Sequence, residues 1–391
     1  MGIRVYRRSS AGGWQRADGG PHLIMRRVVV IGGGLAGLTA AVRLAPDTDV
    51  VVLDGQPRLG GQILTERQEP LTVERGAEGF VFRSEAVPRL AAEVGLHADL
   101  IGQSVVQSYG FDGDRLRVLG PGEAAAFLGF QVPRGDLGKG IRSFRQGMGS
   151  LVSALETHLH GRADVRTDTA ATSVEIQERG VSIIAGDDAF EAHGVVVATQ
   201  ARDAARLLAP VTPRAAILAT APTVSSVAVE LAFPRDAVDH PLDGTGFVVA
   251  ESAQREGLRA CTFTSAKFIA RCPPSLALLR LFFRPEPCEL SGPHALDDAT
   301  WCRRAVDGLG RVLRLTGAPS GCWVSRWPAA LPQFSDAYRS AVADVEAALE
   351  DKPIALAGAA FHGSGIDAAV RSGERAARRL AQPPAASAAA P

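Results

Sequence analysis

Long apolar runs are missing from this 391-residue chain: no stretch of about 18 apolar residues occurs, so the sequence offers no bilayer-spanning helix. Lysine is nearly absent, with only Lys139, Lys267 and Lys352, and the 42 basic residues are matched by 42 acidic ones. A formal net charge of zero provides no global positive field, which argues against nucleic acid or an anionic membrane as partner. Cysteine is scarce too. Cys261, Cys272, Cys288, Cys302 and Cys322 are odd in number and contain no C-x-x-C pair, so a zinc site or a disulfide scaffold is disfavoured and a reducing cytoplasm is expected. What is present excludes disorder: hydrophobic residues make up 46% and charged residues 21%. The length suits two to three domains.

Residues 1–24 hold Arg4, Arg7, Arg8 and Arg16 but no apolar signal core. They read as an arginine-bearing presequence or as an extension ahead of a true start at Met25, without strand or helix periodicity. Residues 382–391 read as a disordered tail.

The strongest signal follows Met25. Arg27-Val28-Val29-Val30-Ile31 is an apolar, β-branched run that suits a parallel strand buried on both faces. It leads into Gly32-Gly33-Gly34-Leu35-Ala36-Gly37, a G-x-G-x-x-G, and then into helical spacing at Leu35, Leu38, Val42 and Ala45 that Pro46 stops. A second apolar strand, residues 49–53, ends in Asp54, 17 residues after Gly37. Strand, glycine loop, helix and terminal acid together make a dinucleotide seat. Gly32 permits the tight turn, Gly34 lets backbone approach a pyrophosphate, Gly37 lets helix and strand pack, and Asp54 accepts ribose hydroxyls. The acid disfavours a 2′-phosphate.

Gly55-Gln56-Pro57-Arg58-Leu59-Gly60-Gly61-Gln62 then offers a second loop whose backbone and guanidinium can meet further phosphate and ribityl oxygens, which NAD alone does not need. With this two-part opening the chain resembles the superfamily of flavin monoamine oxidases, phytoene desaturases and protoporphyrinogen oxidases. The resemblance covers roughly residues 28–100 and 141–380. It implies FAD and an α/β fold in which a Rossmann-like FAD domain is built from discontinuous segments (25–85, 141–202, 352–381). An α+β substrate domain with a mixed sheet (86–140, 203–351) completes it.

Further segments carry the likeness. Gly76-Ala77-Glu78-Gly79 matches the stretch that passes over the flavin, with Ala77 where a proline is usual. The resemblance has a residue matching Val174 hold the adenine through its backbone, and Ala198-Thr199 lie under the cofactor. Residues 323–334, from Trp323 through Trp327 to Phe334, resemble the Trp-x-x-Ala-(Ile/Leu)-Pro-Gln-Tyr segment of porphyrinogen oxidases. At the end, Ala359 and Ser364-Gly365-Ile366 lead into a helix whose N-terminus would favour the anionic reduced flavin. His362 reads as structural rather than as a base. Phe247, Phe263, Phe282 and Phe283 are candidates for a flat apolar pocket, with plain core as the competing reading.

The likeness fails between Tyr109 and Gly140, where membrane-bound relatives insert a helical segment. The implied activity is therefore FAD-dependent hydride removal from a porphyrinogen of the proto- or copro- type, with oxygen or a quinone as acceptor and no firm membrane dock. A related amine- or polyene-oxidising flavoenzyme, or a non-catalytic FAD-binding paralogue, remains open. No catalytic side chain and no metal set stand out, and the sequence fixes no oligomeric state.

Overall fold

The computed structural model describes residues 6–8, 14–16, 25–127 and 139–381. Five parallel strands form the central sheet, in the order Ala163–Arg166, Asp49–Leu53, Arg27–Ile31, Gly194–Val197 and Ile354–Leu356. Alternation explains their uninterrupted apolar character. Val28 and Val30 enter one buried cluster, and Val29 and Ile31 the other. The first face is covered by helices Leu35–Leu44, Ala86–Glu93, Gly149–Leu159 and Ile366–Ala381. The second is covered by helices Ala201–Leu208 and Asp336–Ala348 and by an antiparallel sheet of Ala171–Gln177, Gly180–Ala185 and Asp188–Ala192. The last of these strands extends the hairpin formed by the first two. Residues 86–99, grouped by sequence with the second domain, pack here with the first: Ala86, Val87, Leu90 and Ala91 join the sheet's own cluster.

A seven-stranded mixed sheet forms the second body, in the order Leu116–Val118, Tyr109–Phe111, Gly246–Val249, Leu258–Phe263, Leu276–Phe283, Thr223–Pro234 and Gly321–Pro332. One pair, Tyr109–Phe111 with Gly246–Val249, is parallel and the rest are antiparallel. Phe247, Phe263 and Phe283 are buried on one face with Trp301 and Leu309 of helix Asp298–Gly310, so they are core and not pocket lining. Phe282 alone of the four lies on the opposite face, half-buried beside Val248, Ala260 and Leu119. That face carries Trp323 and Trp327 and is turned toward the loops of the first domain.

Two expectations are corrected. Cys302 and Cys322 are paired in a disulfide that joins helix Asp298–Gly310 to strand Gly321–Pro332. Spacing hides this pair because helix and strand become neighbours only in the folded sheet. Strands Tyr6–Arg8 and Trp14–Arg16 pair antiparallel within a segment expected to hold no element. The tail 382–391, most of residues 1–24 and residues 128–138 of the shortened segment lie outside the described residues. Among the described residues no helix is long and apolar enough to cross a membrane.

Candidate active site

The glycines of the first loop divide by what a side chain would meet. Gly32 has φ +106° and a Cβ there would sit 2.6 Å from the Ala198 carbonyl oxygen. At Gly37 a Cβ would overlap the Gly32 carbonyl oxygen, and at Gly33 it would overlap Leu59. These three are glycines because the fold is packed against them. Gly34 differs: its φ of −70° suits any residue, and a Cβ there would meet nothing within 4 Å. It faces open space at the N-terminus of helix Leu35–Leu44, which no side chain caps, so the N–H groups of Leu35, Ala36 and Gly37 are available to a ligand.

The second loop is drawn onto the first. Gly60 N–H donates to the Gly33 carbonyl at 2.8 Å, and Gly34 and Gly60 form a parallel bridge. Gly61, at φ +56°, lies beside Gly34, and Gly55 lies against Ala170. Asp54 already accepts from Gly33 N–H at 2.6 Å and from Gln56 N–H at 2.8 Å. Each carboxylate oxygen keeps a lone pair for a hydroxyl. The Arg58 guanidinium donates to the carbonyls of Leu59, Gly61 and Ile63 at 2.7–3.1 Å, so it shapes the loop as well. Gln62 donates to Ala330 O at 2.5 Å, tying the loop to the second sheet.

The same sheet holds the third segment. Trp327 Nε1 donates to the Arg75 carbonyl at 2.9 Å, Arg280 donates to the Gly76 carbonyl at 2.6 Å, and Ala77 N–H donates to Gln62 O at 3.0 Å. The Arg75 side chain reaches Ser325 and Val324 O in return. Gly79 is packed against the Arg142 carbonyl, where a Cβ would stand 2.6 Å away. Glu78 does not point outward: its carboxylate pairs with Lys267 in the interior. Burial would push Glu78 up, but Lys267, Arg280 and Arg271 hold it below the usual range.

Beneath this segment lies a group that the sequence reading missed. Glu74, Glu230, Arg271 and Arg280 are all buried beside the Glu78–Lys267 pair. A signal did exist: Glu230 and Arg280 interrupt strands that are otherwise apolar, Val227 to Phe233 and Leu276 to Phe283. Period-two reading assigns such charges to solvent, whereas here both sheet faces are covered.

The remaining candidates converge on the same mouth. Ala198 N–H donates to Ile31 O at 2.8 Å, which sets Ala198-Thr199 beside Gly32. Val174 is fully buried on an edge strand, and Thr169, two residues ahead of that strand, donates its N–H to Asp54 O at 2.8 Å. Gly373 of helix Ile366–Ala381 packs so closely on Ala36 that a Cβ would overlap its carbonyl oxygen. Ala359, Ser364, Gly365 and Ile366 are thereby carried toward the glycine loop, and Gly365 also opens on empty space. The first turn of this helix contains Asp367, which accepts from Ser84 at 2.5 Å and is met by Arg371 at 3.0 Å. His362 is structural, with Nδ1 2.7 Å from Ser372 Oγ and Nε2 2.7 Å from Glu346. Among the described residues no cluster could hold a metal ion.

Residues 112–381 match the model of the flavin containing amine oxidoreductases, and residues 30–94 match an NAD(P)-binding Rossmann-like domain. The chain belongs to the flavin-containing amine oxidoreductase family. It is an FAD-dependent oxidoreductase, and the open cradle at Gly34 fits that cofactor. The coproporphyrinogen III oxidase of Bacillus subtilis is 22% identical over 468 positions, covering 92% of this chain and 98% of the relative. Those positions outnumber the residues of this chain, so the relative carries segments that this family member lacks. The coproporphyrinogen III oxidase of Propionibacterium freudenreichii is 32% identical over 236 residues, 60% of this chain and 43% of the relative. Among solved structures, an Exiguobacterium protein assigned as a protoporphyrinogen oxidase superposes with a TM-score of 0.78 at 20% identity, covering 91% and 99% of the two chains. Cyclohexylamine oxidase of Brevibacterium oxydans gives 0.67 at 14% identity, with 91% and 99% covered.

Proposed function

We propose that this flavoenzyme oxidises a porphyrinogen, with a carboxylate-bearing coproporphyrinogen as the preferred class. The observation that carries the reading is the latch between Trp327 and the Arg75 carbonyl, because it joins the segment most like that of porphyrinogen oxidases to the glycine stretch beside the cofactor seat. The relatives aligned along most of their length, named coproporphyrinogen III oxidases, support the same substrate class.

Bound FAD supplies an acceptor for a hydride from a substrate C–H. The chain's share is binding, orientation and charge placement. The first-turn N–H groups at Leu35 to Gly37 would hold the pyrophosphate, Asp54 a ribose hydroxyl, and the backbone of Val174 the adenine. Gly55, Gly60 and Gly61 would bring backbone against the ribityl chain, with Arg58 and Gln62 fixing the loop's shape. Gly76, Ala77 and Gly79 would support the ring together with Trp327, Ala198 and Thr199, and Ala359 and Ser364 to Ile366 would close over it. Glu78 acts from inside through Lys267. Phe282, half-buried on the sheet face turned toward this seat, is the one of the four phenylalanines placed to offer a ring to a flat macrocycle.

Oxygen or a quinone would regenerate the cofactor. The balanced charge gives no polybasic attraction to anionic lipid. Aerobic assay with coproporphyrinogen and protoporphyrinogen tests the proposal through the fluorescence of the porphyrin formed. Turnover of the tetracarboxylate is expected to exceed that of the dicarboxylate. Failure to oxidise either, in protein that retains FAD, contradicts the proposal.

A further inference from the structure

Six ionisable side chains are buried together beneath the Gly76–Gly79 turn: Glu74, Glu78 and Glu230 against Lys267, Arg271 and Arg280. Two of the pairs are closed. Glu74 lies 3.0 Å from Arg271 and also accepts from Thr65 Oγ1 and Met148 N–H, while Glu78 pairs with Lys267. The third is open. Arg280 commits one Nη to the Gly76 carbonyl, and its Nε stands 3.9 Å from Glu230, beyond hydrogen-bond reach. Neither Glu230 oxygen accepts a well-formed hydrogen bond, although the residue is only 2% exposed; the Thr264 hydroxyl beside it is the one donor near enough to favour its charge, and that hydroxyl has no well-formed bond of its own.

A carboxylate without a donor is a poor structural element, because burial penalises its charge and nothing returns the lost hydration. Glu230 points to the face opposite its neighbours Val229 and Leu231, which enter the apolar core, and stands directly across from Arg280 on the adjacent strand. Its place is one residue removed from the cofactor seat: Arg280 touches both Glu230 and the carbonyl of Gly76.

We propose that Glu230 is a proton-holding residue that couples the charge of this buried cluster to the flavin above it, ionised while the flavin is oxidised and neutral while the flavin is reduced. With Glu230 ionised the three acids balance the three bases, and with it neutral the cluster carries one net positive charge against an anionic ring. In balance, reduction would place two electrons and one proton on the ring, as a hydride from substrate or as electrons from dithionite with a proton from water; the second proton, taken by Glu230, comes from water, and on reoxidation the electrons pass to the acceptor while the Glu230 proton returns to water. Burial pushes Glu230 up to about 7, Arg280 and the Thr264 hydroxyl draw it back, and Glu78 and Glu74 push it further up, so the group titrates where a nearby charge can switch it. The Cys261 and Cys272 thiols facing it are pushed up by burial and by Glu230 itself, and they stay neutral in this range.

The inference rests on the flavin seat and not on the substrate, so the test uses holoprotein reduced with dithionite. Wild-type potential, measured from pH 6 to 8, should fall with the slope of two protons per two electrons near pH 7. Glu230→Gln should show the slope of one and a more positive potential at pH 8. The infrared difference spectrum of reduction should contain a carboxylic acid carbonyl band in the wild type and none in the variant. Equal slopes in the two proteins, or no such band in the wild type, would overturn the proposal. Should the variant fail to hold FAD, the wild-type spectrum alone decides, because a purely structural Glu230 yields no band. A wild type that purifies without flavin would instead overturn the seat.

Discussion

Gly34 and Gly37 stand three residues apart in one motif, yet the structure assigns them opposite sensitivities. Gly34 has extended backbone at the helix N-cap and open space where its Cβ would be, so Gly34→Val strains nothing in the empty protein. The expected loss is about 1 kcal/mol or less, the difference between a good and a poor N-cap residue. Its branched side chain would instead fill the cradle at the helix N-terminus, so FAD should not bind. Gly37→Ala does the reverse, since its methyl group overlaps the Gly32 carbonyl and forces a backbone shift costing roughly 1–3 kcal/mol or more. Thermal unfolding of the apoproteins with and without FAD separates the two. At about 100-fold excess over Kd, FAD should add roughly 2.7 kcal/mol to the wild type and nothing to Gly34→Val. Gly37→Ala should start lower before any FAD is added. Flavin retained by Gly34→Val, or an undiminished apo stability in Gly37→Ala, would refute this division of roles.

Three other perturbations have defined outcomes. Asp54→Ala removes an acceptor shared by Gly33 N–H, Gln56 N–H and a ribose hydroxyl, and should weaken FAD binding by about 1–3 kcal/mol in fluorescence titration. Replacing Cys302 and Cys322 together by serine should lower stability by about 3 kcal/mol in denaturant titration without reductant and change nothing in its presence. The carboxyl of Glu230 has a folded value of about 7, raised from 4.5, so its ionisation disfavours folding. Its contribution is full below pH 4.5 and is lost as pH rises to about 7, by roughly 3 kcal/mol in all. Glu230→Gln should therefore flatten the fall of Tm across that window, and an unchanged pH profile would contradict the burial argument.

The first strand, its glycine loop and the helix after it were legible because local steric rules write them: β-branched runs for buried parallel strands, glycine where a Cβ would collide. The Trp323 to Phe334 segment was legible through resemblance alone, and its contact with Arg75 is a tertiary fact that spacing could not supply. Arg58 was legible as part of the loop by position, but its bonds to the loop's own carbonyls are a local geometry that a motif does not write. The charge cluster was hidden because Glu230 and Arg280 stand opposite each other only once two strands far apart in sequence pair, and because Glu74, Glu78 and Lys267 reach them from other segments. The Cys302–Cys322 pair was hidden by the same kind of long-range adjacency.

Anaerobic mixing of the FAD-loaded protein with coproporphyrinogen, followed at the flavin absorption band, tests the central claim most directly. The account predicts bleaching of the band in step with porphyrin appearance, and recovery on admitting oxygen or a quinone. A flavin that coproporphyrinogen leaves yellow, but that an amine or a polyene bleaches, would contradict it.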